Sequence, residues 1–305
     1  MDPHTGLVLP LATVIIILDM GEQRQQRTFG NADPIPMMRV GGVDFHWGRR
    51  TYIMGIINVS PDSFSGDSVK EIEEAVAQAR QFVAEGADIL DIGGESTRPG
   101  SKPVSVVEEI QRVVLVIRAI NAEIDIPLSV DTYKPEVASC ALEAGVDMIN
   151  DVWGLKEGDE LARIAAEKGV PIILVSNQRE QPASDIIPAV INDLELAVSK
   201  ALSVGVDPDK IMLDPGIGFG KTVEQNLELI YRLGEIRTLG RPVLLGTSRK
   251  SFIGGVLNTT ENDRLEGTAA TIAIGIANGS DIVRVHDVKA MARVARMSDA
   301  IVRRV

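Results

Sequence analysis

Short runs of β-branched and other apolar residues alternate with helical stretches from Tyr52 to the end of the chain. In the segments between the runs, apolar residues recur every three or four positions, as at Ile72, Val76, Ala79 and Val83. This spacing is typical of a helix with one buried face. The runs themselves have the length and composition of buried strands. Eight such runs are predicted, at 52–59, 88–93, 127–132, 148–152, 171–175, 211–214, 242–247 and 281–286.

Eight strand-then-helix units in about 250 residues match the number of units and the length of a closed parallel barrel. We therefore predict an α/β fold, a (β/α)8 TIM barrel over residues 51–305. An open doubly wound sheet is the alternative, but it would normally have fewer strands and a glycine-rich fingerprint after the first one. The first run here leads into Asn58-Val59-Ser60-Pro61-Asp62, which contains no glycine.

The first 50 residues do not follow this pattern and are predicted to form an N-terminal extension. They contain a polar stretch at 23–27 and prolines at 34 and 36. A strand over 13–18 is the alternative to an extended segment. Residues 40–47 predict a short hairpin, turned either at Gly41-Gly42 or at Gly48.

Nearly every predicted strand ends in a polar residue, although strands buried on both faces should be apolar throughout. The carboxyl ends of barrel strands converge on one mouth, where active sites are built. One such residue could simply cap the next helix, but eight strands together favour a functional mouth. The residues are Asn58; Asp91 with Glu95; Asp131; Asn150 with Asp151; Ser176 with Asn177; Asp214; Ser248 with Lys250; and Arg284 with His286.

The polar residues divide into two chemical groups. Asp131, Asn150 and Asp214 form an acidic and amide group that suits a ligand rich in N–H donors, such as an aminopyrimidine edge. A basic group suits phosphate or carboxylate; its members are Arg98, Lys250, Arg284 and His286. Arg284 and His286 are two residues apart and are expected to share one face of their strand.

Structural interpretations of the same residues remain open. Asp131 with Lys250, or Asp214 with Arg284, could be an ion pair inside the barrel. His286 alone would more often be a core histidine. The segment 215–222 resembles a phosphate-binding loop, but Pro215 stands where that motif requires glycine. Its glycines are expected to let the backbone pass close to a flat ligand, with Phe219 as a wall.

Composition narrows the function further. The 305 residues carry 31 Lys and Arg against 43 Asp and Glu, a net charge of −12, which argues against a nucleic-acid partner. The longest apolar stretch, 7–18, is interrupted by Pro10 and is shorter than the roughly 20 residues of a membrane span. Neither a membrane partner nor a signal peptide is expected. With Cys140 as the only cysteine, we predict a cytoplasmic protein.

Seven segments in order resemble the signatures of dihydropteroate synthases, and the resemblance covers roughly residues 51–303. The first two are the longest: Ile53-Met54-Gly55-Ile56-Ile57-Asn58-Val59-Ser60-Pro61-Asp62-Ser63-Phe64-Ser65 and Asp91-Ile92-Gly93-Gly94-Glu95-Ser96-Thr97-Arg98-Pro99-Gly100. The others are Ser129-Val130-Asp131-Thr132, Ile149-Asn150-Asp151, Leu213-Asp214-Pro215-Gly216, Gly246-Thr247-Ser248-Arg249-Lys250-Ser251 and Val283-Arg284-Val285-His286-Asp287.

The resemblance implies a homodimeric barrel that joins 6-hydroxymethyl-7,8-dihydropterin diphosphate to 4-aminobenzoate, releasing diphosphate and 7,8-dihydropteroate. This is the step of folate synthesis that sulfonamides block. It also implies a role for each matching residue. Asp131, Asn150, Asp214 and Lys250 would hold the pterin; Asn58 would contact Mg²⁺ and diphosphate; Thr97, Arg284 and His286 would contact the diphosphate; and Lys250, Ser251, Arg98, Pro99 and the loop through Asp62, Phe64 and Ser65 would border the aminobenzoate.

Two departures from the family pattern are visible. The family often has a Met-His-Met-like run after the fifth barrel strand, whereas this chain has Leu174-Val175-Ser176-Asn177-Gln178-Arg179, and the loop after Ser65 is short. Two other functions remain as alternatives. One is a pterin-binding methyltransferase barrel, which would not need the segments 96–100 and 248–251. The other is a non-catalytic pterin-binding barrel.

Overall fold

The computed structural model describes residues 35–59, 68–96, 101–180 and 182–304. The strand considered for residues 13–18 lies outside these ranges. A hairpin is present where the glycine pair predicts it, with β1 (Met38–Val40) antiparallel to β2 (Val43–Phe45). Gly41 and Gly42 form its turn, and both have positive φ angles, of 54° and 83°.

A single parallel sheet of eight strands confirms the predicted (β/α)8 barrel. Its spatial order is β8-β7-β6-β5-β4-β3-β10-β9. An isolated parallel bridge between Leu213 and Val243 connects the two ends of this order and closes the barrel. The strands are β3 (Tyr52–Asn58), β4 (Ile89–Gly93), β5 (Leu128–Asp131), β6 (Met148–Asp151), β7 (Ile172–Val175), β8 (Ile211–Asp214), β9 (Leu244–Leu245) and β10 (Ile282–Val285).

Helices follow each of the eight barrel strands and cover the outside of the barrel. Two of them end on a left-handed glycine: Gly145 after α3 and Gly169 after α4, with φ of 109° and 64°. Among the described residues, no helix combines the length and apolar character needed to cross a bilayer. The helices are α1 (Ser68–Glu85), α2 (Val106–Asn121), α3 (Pro135–Ala144), α4 (Glu160–Lys168), α5 (Ile186–Ser203), α6 (Val223–Tyr231), α7 (Leu233–Arg237), α8 (Ser251–Leu257), α9 (Leu265–Ala277) and α10 (Val288–Val302).

The two faces of the strands belong to two different apolar clusters. Val283 and Val285 of β10 pack outward in the cluster shared with the helices, as their alternation with Arg284 and His286 predicts. Ile282, on the other face, belongs to a cluster that fills the barrel interior. The side chains of Arg284 and His286, which share the parity of Ile282, therefore lie on the inner face.

The hairpin residues close the amino-terminal end of the barrel, which we call the floor. Met38, Val40, Phe45 and Trp47 pack with the inward residues of the lower strand layer, including Met54. Phe45 is fully buried, and its ring centroid lies 4.7 Å from that of Tyr52. The opposite end, the mouth, is therefore the end at which polar side chains inside the barrel can be reached from solvent.

Candidate active site

Four predicted site residues lie on the inner face at the carboxyl ends of four strands. Asp131 ends β5, and its register partner on β6 is Asn150. Asp214 ends β8, and Arg284 lies on β10. Asp131, Asn150 and Asp214 are buried. The barrel thus brings together carboxylate, amide and guanidinium groups that are up to 153 residues apart in sequence.

Arg284 is the central cation of this site. Its Nε lies 2.5 Å from Asp91 Oδ2, and its Nη2 lies 2.5 Å from Asp131 Oδ2. Neither of the pairs considered from sequence, Asp131 with Lys250 and Asp214 with Arg284, is an ion pair among the described residues. The reason is register, because β4 and β5 bring Asp91 and Asp131 to the level that Arg284 reaches from β10.

Asp91 is a site residue whose role the sequence did not reveal. Its Oδ2 accepts hydrogen bonds from Arg284 and, at 3.1 Å, from Asn150 Nδ2. It therefore orients two of the predicted site residues at once. The available signal was strand parity, because Asp91 is two residues after the inward-facing Ile89. Strand parity predicts which way a side chain points, but it does not predict how far that side chain lies from residues on other strands of the barrel.

Four buried oxygens near this ion pair have no hydrogen-bond partner. They make up half of the eight buried side-chain polar atoms without a partner in the described part of the chain. Leaving such a group unpaired costs about 1–3 kcal/mol. The site therefore suits a ligand that presents several N–H donors. The four atoms are Asp91 Oδ1, Ser129 Oγ, Asp131 Oδ1 and Asn150 Oδ1.

Burial shifts the acidity of the groups at the mouth. It raises the pKa of Asp131 to about 7, against the opposing effect of the Arg284 guanidinium. Burial also raises the pKa of Asp214, and Lys250 opposes that shift. The pKa of Lys250 itself is lowered to about 8 by burial, although Asp214 favours its charged form. The site thus holds carboxyl and ammonium groups that titrate near neutral pH.

Lys250 lies beside the glycine-rich segment that follows β8. Its Nζ hydrogen-bonds the Ile217 carbonyl and lies 4.9 Å from the ring centroid of Phe219. Asp214 Oδ1 accepts a hydrogen bond of 2.7 Å from the Gly216 amide at the start of the same segment. Phe219 and Lys250 therefore form one wall of the mouth, close to the Asp214 carboxylate.

A neighbouring backbone requires two glycines of this segment, Gly216 and Gly220, a constraint that the sequence did not reveal. Gly216 has φ of 69°, and a Cβ there would lie 1.9 Å from the Ser176 carbonyl oxygen. Lys221 binds the same region, donating to the Ser176 and Gly216 carbonyls at 2.8 and 2.9 Å. The loops after β7 and β8 are thus packed tightly together.

The departure after the fifth barrel strand is integrated into this packing. Val175 lies in the interior cluster next to Asp214, its register partner. Ser176 Oγ donates to Asp193 at 2.8 Å, and Asn177 Nδ2 donates to the Val152 carbonyl at 3.0 Å. The wall that the family pattern assigns to a Met-His-Met-like run is therefore formed here by an apolar side chain and a hydrogen-bonded loop.

His286 and Ser251 lie at the strand-to-helix junctions of the last two units, after β10 and β9. His286 is partly buried, and its Nδ1 lies 3.0 Å from Ser248 Oγ. Ser251 is exposed and begins α8 directly after Lys250. Both residues are thus adjacent to groups that already belong to the mouth.

Asn58 ends β3 with an exposed side chain, beside Gly93 of β4. Its amide oxygen is a hard donor of the kind that Mg²⁺ accepts. Within the described ranges, no group of three or more His, Cys, Asp or Glu side chains is arranged to hold a metal. Because Mg²⁺ commonly binds through one or two protein ligands plus substrate phosphates, the residues present fit a metal that shares its ligands with a substrate.

A half-buried lysine, Lys134, connects the two sides of the loop after β4. Lys134 Nζ lies 2.6 Å from both Glu95 Oε2 and Glu109 Oε2, and donates to the Val104 carbonyl at 2.7 Å. Val104 in turn donates from its amide to Glu95 at 2.9 Å. This contact was not expected from sequence, because Lys134 lies outside the strand ends. Six predicted site residues lie outside the described ranges: Asp62, Phe64, Ser65, Thr97, Arg98 and Pro99.

Comparison with known proteins identifies the family. The family of pterin binding enzymes matches residues 54–286. The dihydropteroate synthase of Clostridium beijerinckii is 50% identical over 269 residues, covering 88% of this chain and 100% of that protein. The Bacillus subtilis enzyme is 50% identical over 253 residues, covering 83% and 89%.

Solved structures agree with this result. The Clostridium difficile dihydropteroate synthase, determined in the presence of pteroic acid, has a TM-score of 0.82 and 49% identity, covering 84% of this chain and 98% of that one. The Xanthomonas albilineans enzyme in complex with 7,8-dihydropteroate has a TM-score of 0.80 and 36% identity, with 87% and 98% covered. These relatives do not support the methyltransferase and non-catalytic alternatives. The chain therefore belongs to the pterin-binding enzyme family and, within it, to the dihydropteroate synthases, which are transferases.

Proposed function

We propose that the barrel mouth is where this dihydropteroate synthase joins 6-hydroxymethyl-7,8-dihydropterin diphosphate to 4-aminobenzoate, with the residue roles given below. The observation that carries the assignment is the set of buried oxygens without partners, including Asp131 Oδ1 and Asn150 Oδ1, beside Arg284. The amino-pyrimidinone edge of a pterin presents N–H donors that match these acceptors. Asp214 and Lys250 complete the ring site on its other side.

The cationic side of the mouth would receive the diphosphate. In the reaction, the C–O bond between the pterin methylene and the diphosphate breaks, and the diphosphate leaves with the electron pair. The aniline nitrogen of 4-aminobenzoate forms the new C–N bond and loses a proton. Arg284 and His286 can donate hydrogen bonds to the departing anion, and preorganised donors of this kind each contribute about 10²–10³ in rate.

Mg²⁺ is part of the proposal, with Asn58 as its protein ligand and diphosphate oxygens as further ligands. When bound there, the ion would neutralise charge on the leaving group. The observation in support is the exposed amide of Asn58 at the end of β3. Loss of diphosphate binding in Asn58→Leu, with pterin affinity retained, would support this role.

The 4-aminobenzoate would lie at the outer edge of the mouth, next to Ser251 and Lys250. This position is supported by the chain order, because the exposed Ser251 directly follows Lys250 at the start of α8. Contacts from Arg98, Pro99 and the loop through Asp62, Phe64 and Ser65, and from Thr97 to the diphosphate, remain predictions from the resemblance.

The proposal is tested with Asp214→Ala. We expect pterin affinity to fall by roughly 5–150-fold, because an unpaired ring donor costs about 1–3 kcal/mol. Isothermal titration with a pterin measures the affinity, and 4-aminobenzoate-dependent diphosphate release measures turnover. The matched control is Asp147→Ala. Asp147 also accepts one backbone hydrogen bond, 2.9 Å from the Leu128 amide, but at the floor. Unchanged affinity in Asp214→Ala would remove the ring assignment.

A homodimer is the second part of the proposal. Helix α9 is apolar on nearly all sides, and a helix of that kind is normally covered. Its Ile274 is 49% exposed, and Met297 and Ile301 on the adjacent α10 are 63% and 64% exposed. We therefore propose that a second copy covers this face. Analytical ultracentrifugation of the wild type and Ile274→Glu tests it, with a shift from dimer to monomer expected.

The cellular setting is also proposed. Cys140 lies half-buried in α3 as a free thiol, and one cysteine cannot form an intramolecular disulfide. A reducing cytoplasm suits such a chain. Fractionation of producing cells, followed by immunodetection, would locate the protein.

A further inference from the structure

Ser248 lies where the ends of two neighbouring strands meet at the mouth. It follows β9, and β9 pairs in parallel with β10, so Ser248 is close to His286. The Ser248 side chain is buried, with 5% of the residue exposed. Its hydroxyl therefore has few partners to choose from, and those partners determine its orientation.

Two hydrogen bonds connect Ser248 to the same residue. The backbone N–H of His286 donates to Ser248 Oγ at 3.1 Å, and Ser248 Oγ lies 3.0 Å from His286 Nδ1. In the first bond the hydroxyl oxygen is the acceptor. In the described part of the chain, the hydroxyl has no other bonded acceptor for its hydrogen, so that hydrogen goes to Nδ1.

This arrangement determines where the imidazole carries its proton. A neutral histidine has one nitrogen that donates and one that accepts. Because Nδ1 accepts from the serine hydroxyl, the proton is on Nε2. In the other tautomer, the Ser248 hydroxyl would accept from two donors, and its own buried hydrogen would lack a partner.

We propose that Ser248 is a positioning residue that holds His286 as the Nε2–H tautomer, so that the ring donates to an oxyanion through Nε2. The inference rests on the proposed function, which gives His286 the diphosphate as its partner. An unprotonated Nε2 would instead direct a lone pair at an anionic oxygen, which is repulsive. Ser248 thus acts through His286 and does not itself contact the substrate.

The surrounding backbone holds the two residues in this relationship. Arg249, next to Ser248, adopts a left-handed conformation with φ of 56°, which is uncommon for a residue other than glycine. Its guanidinium makes two hydrogen bonds of 2.9 and 2.5 Å to Asp287, the residue after His286. Thr268 Oγ1 also accepts from the Arg249 amide at 3.1 Å. The two strand ends are therefore joined before the Ser248–His286 contact by the pairing of β9 with β10, and after it by the Arg249–Asp287 ion pair.

The tautomer can be observed directly, because the chain has only three histidines, His4, His46 and His286. We would label the histidines of the whole protein with ¹⁵N and record two-bond ¹H–¹⁵N correlations at about pH 8.5, well above the ordinary histidine pKa. The His286 signals are those missing from His286→Gln. We expect a protonated Nε2 and an unprotonated Nδ1. A protonated Nδ1 in the wild type would overturn the proposal without any variant of Ser248.

Kinetics provide the second test, with Ser248→Ala, Ser248→Thr and Thr271→Val. Ser248→Ala should lower kcat about 10–100-fold, by analogy with the loss of a partner that orients a metal-bound histidine, and leave KM for 4-aminobenzoate unchanged. Ser248→Thr keeps a hydroxyl and should restore turnover. Thr271→Val removes a nearby hydroxyl that bonds Thr247 rather than histidine and should retain full kcat.

The outcomes separate this inference from the proposed function. If Ser248→Ala turns over like the wild type while His286→Gln does not, the positioning role is wrong and the role of His286 stands. An equal loss in Thr271→Val would also overturn the positioning role, because it would indicate a general packing effect. If His286→Gln retains full turnover, the diphosphate role of His286 itself fails.

Discussion

Each end of the barrel buries an aspartate paired with an arginine, and the two pairs have nearly the same geometry. At the floor, Arg237 lies 2.5 Å from Asp281, with side-chain exposures of 21% and 0%. At the mouth, Arg284 lies 2.5 Å from Asp91, with exposures of 20% and 0%. The surroundings differ. Asp281 also accepts from the Val243 amide, and Arg237 also donates to the Gly279 carbonyl.

The difference is in the unpaired acceptors. The floor pair has one buried oxygen without a partner, Asp281 Oδ1, whereas four surround the mouth pair. The floor pair fixes the ends of strands, and the mouth pair lies among the acceptors of the proposed binding site. Geometry and burial of an ion pair therefore do not by themselves distinguish structure from function; the bonding state of the atoms around the pair does.

The strongest test of this contrast replaces each arginine by methionine. Both Arg284→Met and Arg237→Met leave a buried carboxylate without its cation, so each should lower the free energy of unfolding by about 3–5 kcal/mol. Only Arg284→Met should also lower kcat, by about 10²–10³. Urea titrations and diphosphate-release assays measure the two effects. A comparable loss of kcat in Arg237→Met would show that the two ends are not functionally distinct.

The floor can also be weakened without touching a charge. Phe45→Ala removes a fully buried ring from the cluster that closes the barrel and should cost about 3–5 kcal/mol in the free energy of unfolding. Because the mouth is at the other end, kcat of the folded protein should stay unchanged. Phe45→Leu, which retains most of the buried volume, serves as the milder control. A selective change in KM for the pterin substrate would contradict the separation.

The smallest expected effect is a pH window confined to the mouth. The Asp131 carboxyl group, with a pKa of about 7, accepts hydrogen bonds from ring donors more strongly when it is ionised, and Lys250, with a pKa of about 8, is mostly charged below that value. Pterin affinity should therefore increase as pH rises through about 7 and decrease above about 8. Titration calorimetry with a pterin that lacks the diphosphate avoids ionisation of the substrate phosphates.

The variant Asp131→Asn tests whether Asp131 causes the rise in pterin affinity near pH 7. In this variant, that rise should be absent. The same carboxyl also predicts a stability change. Because its pKa is raised from 3.8 to about 7, the folded state keeps a proton that the unfolded state has already lost. The wild type should lose stability relative to Asp131→Asn as pH rises between about 4 and 7. A flat affinity profile from pH 6 to 9 would show that neither group limits binding.

The sequence predicted the barrel and the side chains that face its mouth, because both depend on local periodicity. The alternation around Arg284 and His286 placed them on the inner face, and the ends of β5, β6 and β8 were placed in the same way. Distances across the barrel could not be predicted, since they depend on register and closure. For that reason the sequence did not predict Asp91 and Asp131 as the partners of Arg284, and it did not predict the contact between Lys134 and Glu95.

The same limit applies to elements that lack a repeating pattern. The hairpin was predicted from Gly41 and Gly42, but its position under the barrel was not, because nothing in a three-residue strand specifies the surface it packs on. From the sequence, the glycines around Gly216 were expected to let the backbone pass close to a flat ligand. Only the three-dimensional structure shows that the Ser176 carbonyl occupies the space a side chain would need.

The closure of the floor by Met38, Phe45 and Trp47 has a consequence for how substrates and products enter and leave the barrel. A barrel that is closed at one end is open to solvent only at the other, so both reactants enter and both products leave through the mouth. A pterin bound as proposed, against Asp131 and Asn150, could not leave or enter while another ligand occupied the outer part of the mouth. The order in which molecules enter and leave would then be imposed by architecture, before any difference in affinity is considered.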